Sequence, residues 1–207
     1  MQAKLQNRLL IATNNPGKVK EFRQLLAELE NVMLLTPEEL GISVQVAEIG
    51  SSYAENAALK AGAFAAASGL PALADDSGLE VEVLGGAPGL YSARYSAKPG
   101  ATSADRRAFL LENLSGVPRP WKARFRAVLA AALPGAEVAY FEGVCPGEIL
   151  PEERGDNGFG YDPLFFIPEY GRTMAQLSDE EKNRISHRGR AVQVALPLLA
   201  QYFAQAE

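Results

Sequence analysis

Cysteine and histidine are rare in this sequence, and their rarity excludes several kinds of site. Cys145 is the only cysteine and His187 the only histidine among 207 residues. A lone cysteine excludes an intramolecular disulfide and a CxxC metal site. It also favours a reducing compartment, so we expect a cytoplasmic protein.

Long apolar runs and an excess of basic residues are also lacking. The run RLLIAT near the N-terminus is too short for a signal peptide or a membrane span, and we expect no membrane partner. A net charge of −5 disfavours a general nucleic-acid-binding protein, although one basic pocket is enough for a small anion. With 47% hydrophobic residues, the chain can form one large domain over residues 1–207 or two small lobes.

The first recognisable unit is a strand, a tight loop and a helix. Residues 8–13 form an apolar run, residues 14–17 read Asn-Asn-Pro-Gly, and apolar residues then recur at helical spacing from Lys18 to Leu29. Unpaired N–H groups at a helix start suit an anion, and Lys18 lies there. The Walker A pattern is absent, and an ordinary strand–helix turn is the alternative interpretation.

Two further segments carry polar groups on apolar backgrounds. An alanine-rich helix is predicted from Ser52 to Ser68, with Asn56 and Lys60 on one face, which could equally be a solvated face. Asp75-Asp76-Ser77-Gly78 is predicted to be a loop between two strands. Adjacent carboxylates attract a cation, and magnesium prefers carboxylates with water and phosphate oxygens. A metal-free Asx-turn is the alternative.

The stretch from Gly155 to Arg190 concentrates aromatic and basic residues. A glycine-rich loop, residues 156–162, contains two aromatics and two carboxylates, and Ser178 begins a helix with a capping-box pattern. Basic donors then follow in close succession: Lys182, Arg184, His187, Arg188 and Arg190. Such a set suits a flat ring together with phosphate or a keto oxygen, whereas a solvated helix end is the simpler interpretation.

The remaining elements predict an α/β fold with a mixed sheet. Strand–helix units come early, a hairpin is predicted in the middle, and a helix closes the chain. The predicted elements are a helix over 102–114, hairpin strands over 122–133 and 137–145, a strand over 161–167, and a helix over 191–203 that contains Pro197.

Five motifs in order closely resemble the inosine/xanthosine triphosphate pyrophosphatase family over residues 9–200. They are Thr13-Asn14-Asn15-Pro16-Gly17-Lys18-x-x-Glu21, Glu55-Asn56-Ala57-x-x-Lys60-Ala61, Asp75-Asp76-Ser77-Gly78-Leu79, Gly85-Gly86-x-Pro88-Gly89-x-Tyr91-Ser92-Ala93-Arg94, and Phe159-Gly160-Tyr161-Asp162 followed by Ser186-His187-Arg188-Gly189. Each motif alone is a weak signal, but their common order makes a chance match very unlikely.

The resemblance implies an elongated mixed β-sheet with flanking helices and two lobes around a central cleft. It also implies a homodimer, a magnesium requirement, and cleavage between the α- and β-phosphates of deaminated purine nucleotides such as ITP, dITP, XTP and dXTP. Asp76 is then the catalytic carboxylate and a metal ligand, with Glu48 as a second metal ligand. The residues around Glu48 lack the paired acid and threonine that are usual in the family.

The same resemblance assigns the substrate contacts. The triphosphate is expected at Thr13, Asn14, Asn15, Pro16, Gly17 and Lys18, and Ser77 is expected beside Asp76 at the substrate. The chemistry of phosphoanhydride cleavage adds Lys60 as a further group that can neutralise charge. The base and sugar are expected at Phe159, Gly160, Tyr161 and Asp162. Base or phosphate recognition is completed by Lys182, His187 and Arg188.

Other functions stay open at the level of sequence. A pyrophosphatase for another modified nucleotide differs only in the residues that face the base, and a non-catalytic nucleotide sensor would need the phosphate loop but not Asp76. Donors aimed at a 6-keto oxygen would reject ATP, because its amino group leaves them unpaired. The sequence does not indicate how the 2-amino group of GTP would be excluded.

Overall fold

A computed structural model describes residues 7–205 of the chain. In this part the helices are α1 (Pro16–Leu25), α2 (Tyr53–Ser68), α3 (Ser103–Asn113), α4 (Asp179–Ile185) and α5 (His187–Gln205). The strands are β1 (Asn7–Ile11), β2 (Val32–Leu35), β3 (Ala72–Val81), β4 (Trp121–Ala132), β5 (Ala139–Ile149), β6 (Phe165–Ile167) and β7 (Arg172–Thr173). Short 3₁₀ segments lie at Glu82–Leu84, Gly89–Arg94, Pro168–Tyr170 and Met174–Gln176.

All seven of these strands belong to one sheet, in the order β2-β1-β3-β4-β5-β6-β7. β1 pairs in parallel with β2 and β3, whereas β6 pairs antiparallel with β5 and β7. The parallel end comes from the early strand–helix units, and the antiparallel end comes from the later hairpins. The predicted α/β fold with a mixed sheet and flanking helices is therefore confirmed.

Several predicted boundaries were wrong. Asp75 and Asp76 do not lie in a loop, because β3 runs unbroken from Ala72 to Val81. The strand expected over 161–167 is formed only by Phe165–Ile167. The last helix starts at His187 and passes through Pro197. Pro197 is exposed, so the carbonyl that loses its helical partner, at Gln193, can be satisfied by water.

The described chain divides into two compact units. The first comprises residues 7–76, 128–142 and 190–205, and the second comprises Ser77–Ala127 and Gly143–Gly189. The cleft expected between two lobes stays a prediction.

The first unit has a core on each face of its strands. Successive residues of β1 alternate between these cores: Leu9 and Ile11 pack with Phe22 of α1 and with α5, while Leu10 packs with Phe64 of α2. This alternation follows from the two-residue period of a strand. The unit is thus a sheet covered on both faces, which explains the near-continuous apolar character of β1.

The second unit has a single cluster of buried apolar residues. Leu110 and Leu114 at the end of α3 pack with Phe125 of β4 and Phe165 of β6, and Tyr161 joins the same cluster. The loop that contains Tyr161 is thereby attached to the core of its unit.

No helix within residues 7–205 is long and apolar enough to cross a membrane.

Candidate functional site

The Asn-Pro-Gly turn places the first turn of α1 at the end of β1. Asn15 is the N-cap, and its side-chain oxygen accepts a hydrogen bond from the Lys18 N–H at 3.2 Å. The Asn15 N–H donates to the Thr13 hydroxyl at 3.2 Å, and Pro16 occupies a first-turn position that needs no N–H donor. Asn14, Asn15 and Pro16 are exposed, and Thr13, Gly17 and Lys18 are half-buried. An accessible helix N-terminus with a lysine in its first turn is suited to phosphate oxygens.

The two adjacent aspartates serve opposite faces of β3. Leu73 packs in the α1 core and Ala74 in the α2 core, so the alternation of the strand directs Asp75 towards α1 and Asp76 towards α2. The contacts agree: Lys18 lies 3.0 Å from Asp75 Oδ1, and Lys60 of α2 lies 2.9 Å from Asp76 Oδ1. Each carboxylate therefore has its own nearest ammonium, although Lys18 also acts on Asp76 and Asp75 also acts on Lys60.

Asp76, Lys60 and Glu48 form a compact charged cluster. Lys60 Nζ contacts Asp76 Oδ1 at 2.9 Å and Glu48 Oε1 at 3.0 Å, so one ammonium lies between two carboxylates. Asp76 is 8% exposed as a residue, whereas the Glu48 side chain is 31% exposed. Asp76 is thus enclosed by protein on most sides, while Glu48 contacts Lys60 from a half-buried segment.

Burial and charge act in opposite directions on this cluster. Burial raises the pKa of Asp76, although Lys60, Lys18 and Asn56 all favour its carboxylate form. For Lys60, burial disfavours the ammonium, but Asp76, Asp75 and Glu48 together outweigh that effect and raise its pKa. A carboxylate whose pKa is raised in a specific charged setting is typical of a reactive group.

Asn56 is a site residue that the assignment from sequence did not include. It is 1% exposed, its Nδ2 donates to Asp76 Oδ2 at 3.2 Å, and its Oδ1 accepts from the Gly50 N–H at 2.8 Å. One amide therefore links the carboxylate to the segment two residues beyond Glu48. A Cβ on Gly50 would lie 2.7 Å from Asn56 Oδ1, so this close approach requires glycine. The four-residue spacing of Asn56 and Lys60 was the available signal.

The cluster has the donor set that magnesium needs. Magnesium is usually held by one or two carboxylates, with water and substrate phosphates completing its shell. Glu48 and Asp76 supply two carboxylates that already contact one common cation, the Lys60 ammonium. Within the described residues no group of three or more His, Cys, Asp and Glu side chains could hold a metal by itself. The two carboxylates match the small number of protein ligands that magnesium usually takes.

In the second unit, the aromatic loop is organised around a buried ion pair. Lys182 Nζ lies 2.5 Å from Asp162 Oδ2, and each side chain is 5% exposed. The same oxygen accepts from the Phe159 N–H at 2.8 Å, which closes residues 159–162 into a tight turn. A Cβ on Gly158 would collide with the Asp162 carboxylate, so the pair can form only beside a glycine.

Phe159 lies beside two cationic groups. Lys182 Nζ is 4.9 Å and Arg188 Cζ 5.8 Å from the centre of its ring. Arg188 is 1% exposed, and its Nη2 donates to the Ser77 hydroxyl at 3.1 Å. The structure therefore brings together five predicted residues of the second unit: Ser77, Phe159, Asp162, Lys182 and Arg188.

Tyr161 and His187 are held by packing as well as by polar groups. Tyr161 is 5% exposed and its hydroxyl donates to the Ser92 carbonyl at 3.0 Å, so it anchors the loop. His187 is 6% exposed, starts α5, and stacks on Phe125 with ring centres 4.8 Å apart and an interplanar angle of 16°. These contacts give both residues a structural function in addition to any contact with a ligand.

The chain is similar over most of its length to several proteins that share one name. A protein of Desulforamulus reducens named dITP/XTP pyrophosphatase is 47% identical over 201 residues, covering 97% of this chain and 99% of its own. A protein of Thermus thermophilus with the same name is 50% identical, covering 91% and 90%. The Bacillus subtilis protein of that name is 44% identical, covering 92% and 96%.

Solved structures give the same result. A HAM1 protein from Coxiella burnetii superposes with a TM-score of 0.84 at 40% identity, covering 94% of this chain and 99% of its own. The Staphylococcus aureus Ham1 protein gives a TM-score of 0.81 at 39% identity, covering 93% and 98%. Residues 9–198 match the Ham1 family, which agrees with the resemblance found in the motifs, and the chain belongs to this family.

Proposed function

We propose that the protein hydrolyses deaminated purine nucleoside triphosphates, among them ITP, dITP, XTP and dXTP, to the monophosphate and pyrophosphate. The observation that carries the proposal is the cluster of Asp76, Lys60 and Glu48, in a chain 44% to 50% identical to relatives named dITP/XTP pyrophosphatase. A nucleotide sensor would need the phosphate loop but not the buried Asp76 carboxylate that Lys60 and Asn56 hold in place.

The first unit supplies the groups for phosphate chemistry. Cleavage of a phosphoanhydride depends on positioning and on neutralising charge more than on covalent help from the protein. The N–H groups of the first turn of α1 and the Lys18 ammonium bind phosphate oxygens. Lys60 adds a second ammonium beside Asp76, and the Asp76 carboxylate orients the attacking water and accepts its proton.

Magnesium fits this assignment as the cofactor. Glu48 and Asp76 would hold it, and when bound it would neutralise phosphate charge and polarise the phosphorus to be attacked. The Lys60 ammonium contacts both carboxylates and adds a further positive charge for the substrate phosphates.

The second unit supplies the groups for base recognition. Phe159 offers a ring face for stacking, while His187 and Arg188 carry N–H donors suited to a 6-keto oxygen. An adenine amino group cannot accept from either donor, which disfavours ATP. A homodimer in the cytoplasm completes the proposal.

A substrate panel tests the function. Pyrophosphate and orthophosphate release should be measured with magnesium on ITP, XTP, dITP, GTP, ATP and dUTP. We expect pyrophosphate, with the three deaminated purines ahead of the others. Orthophosphate as the product would contradict the proposed bond, and preference for dUTP would favour a different base.

The pH profile tests Asp76 through its neighbour. Since the reaction needs the carboxylate, activity falls as the pH drops through the pKa of Asp76. Lys60 lowers that pKa against the effect of burial, so Lys60→Met should raise it further and move the acid limb of kcat/KM to higher pH. Lys60→Arg, which keeps the charge, is the matched control. An unmoved acid limb in the Met variant would show that another group titrates.

The role of His187 is tested by a variant that keeps its packing. His187→Phe retains a ring to stack on Phe125 but removes the imidazole nitrogens and with them the N–H donor. We expect the ratio of kcat/KM for ITP to that for ATP to shrink about 2- to 13-fold, the value of one neutral hydrogen bond. The loss should fall mainly on ITP.

His187→Ala separates the two functions of this residue, because it removes the stacking ring as well. It should lower the melting temperature in addition to the ITP-to-ATP ratio. If the Phe variant kept the wild-type ratio while the Ala variant only lost stability, His187 would support the fold and not the choice of base.

A further inference from the structure

A residue of α3 forms a hydrogen bond to the backbone of the loop of residues 159–162. Arg107 Nη1 donates to the Gly160 carbonyl at 2.8 Å, so the guanidinium contacts the backbone directly between Phe159 and Tyr161. The Arg107 side chain is only 14% exposed. Arg107 is separated from Gly160 by 53 positions, and no motif or periodicity in the sequence connects them.

The guanidinium is itself fixed in orientation. Arg107 Nε and Nη2 donate to the two carboxylate oxygens of Glu153 at 2.8 and 2.9 Å, which is a bidentate pair. A planar guanidinium held on one edge by a carboxylate presents its remaining N–H in a set direction. That N–H points to the loop carbonyl, so the pair orders the loop and does not merely screen surface charge.

The hydrogen bonds within the loop do not include the carbonyl of Gly160. The Asp162 carboxylate accepts from the Phe159 N–H, the Asp162 N–H donates to the Phe159 carbonyl, and the Tyr161 carbonyl accepts from the N–H groups of Leu164 and Phe165. The Tyr161 hydroxyl donates to the Ser92 carbonyl. None of these bonds involves the Gly160 carbonyl. Gly160 has a φ of 64°, and a Cβ added to it would meet no atom within 4 Å, so side-chain packing does not restrain it. Of the hydrogen bonds within residues 7–205, the Arg107 bond is the one that restrains its carbonyl.

We propose that Arg107 is a positioning residue, which holds the Phe159 ring ready for the base. This inference rests on the proposed function, because it concerns the same base-binding loop. Arg107 is predicted to touch no substrate atom. Without Arg107 the loop should be less ordered in the free protein. The free energy needed to order it would then be subtracted from the free energy of nucleotide binding.

The test is Arg107→Met, compared with Arg107→Lys and with Arg106→Met. Arg106 lies next to it on α3 and donates its hydrogen bonds at the start of that helix, to the Ala101 carbonyl and the Ser103 hydroxyl. For Arg107→Met we expect KM for ITP to rise about 3- to 10-fold, with kcat within about 2-fold of wild type. Arg107→Lys should recover part of the loss, and Arg106→Met should keep the wild-type KM.

Amide hydrogen exchange of the loop gives a readout that needs no substrate. Peptides covering residues 156–162 should exchange faster in Arg107→Met than in wild type or Arg106→Met. Wild-type exchange in Arg107→Met, or faster exchange with an unchanged KM, would overturn the inference. If the wild-type protein released pyrophosphate from no triphosphate, the proposed function would fail. Amide exchange of residues 156–162 and the affinity for ITP, both compared between Arg107→Met and wild type, would then test whether Arg107 orders the loop.

Discussion

Asp76→Asn is expected to reduce pyrophosphate release from ITP by on the order of 100-fold or more, the effect of losing a general base. Asparagine keeps the shape of the side chain and can still accept from Lys60. It cannot take a proton from water, and it is a weaker ligand for magnesium. Steady-state kinetics at saturating magnesium would measure the loss, and calorimetry without metal should show that ITP still binds.

The neighbouring residue gives a matched comparison for this variant. Asp75 lies on the opposite side of β3 and contacts Lys18, so Asp75→Asn should act through the phosphate-binding lysine. We expect a higher KM for every triphosphate and a smaller change in kcat than in Asp76→Asn. Near-normal turnover by Asp76→Asn together with a large loss of kcat in Asp75→Asn would exchange the two assignments.

Features of the site that depend on residues close together in the sequence could be predicted. The turn before α1 was recognisable because Asn, Pro and Gly specify backbone geometry over four residues. The N-cap of α2 was recognisable for the same reason, since Ser52 accepts from the Glu55 N–H only three residues away. Motif order then assigned the family without any knowledge of distances.

The unbroken course of β3 could not be predicted in this way. Asp, Ser and Gly are depleted in strands and favoured in turns, so Asp75-Asp76-Ser77-Gly78 indicated a loop. The strand persists because Lys18 and Lys60 approach from helices on opposite faces and place an ammonium beside each carboxylate. Tertiary contacts overrode local preference at the position where we propose the catalytic carboxylate, as expected for functional residues.

Long-range partners escaped sequence analysis for a related reason. Asn56 meets Asp76 across 20 positions and Arg107 meets Glu153 across 46, and neither spacing leaves a periodic signal. From sequence alone, the simplest interpretation of Asn56 and Arg107 is that each lies on the solvent-exposed face of its helix. Only the fold distinguishes a residue that orients a site from one that faces water.

The buried Lys182–Asp162 pair leads to the largest expected effect on stability. Lys182→Met should lower the free energy of unfolding by about 3–5 kcal/mol, because it removes the Lys182 ammonium from a buried carboxylate. Both side chains are 5% exposed, so water cannot replace the ammonium without opening the loop. Phe159 would lose its cation neighbour as well. Urea denaturation of the wild type and the variant measures the difference.

Two further variants separate the buried charge from other effects. Arg184→Met lies on the same helix, α4, and breaks an exposed pair with Glu180, so it should change stability by less than about 0.5 kcal/mol. The double variant Asp162→Asn/Lys182→Met removes both charges and should regain much of the lost stability while base binding stays weak. A Lys182→Met variant as stable as Arg184→Met would mean that the Asp162 carboxylate needs no cation, and the loop would then be ordered by its backbone contacts alone.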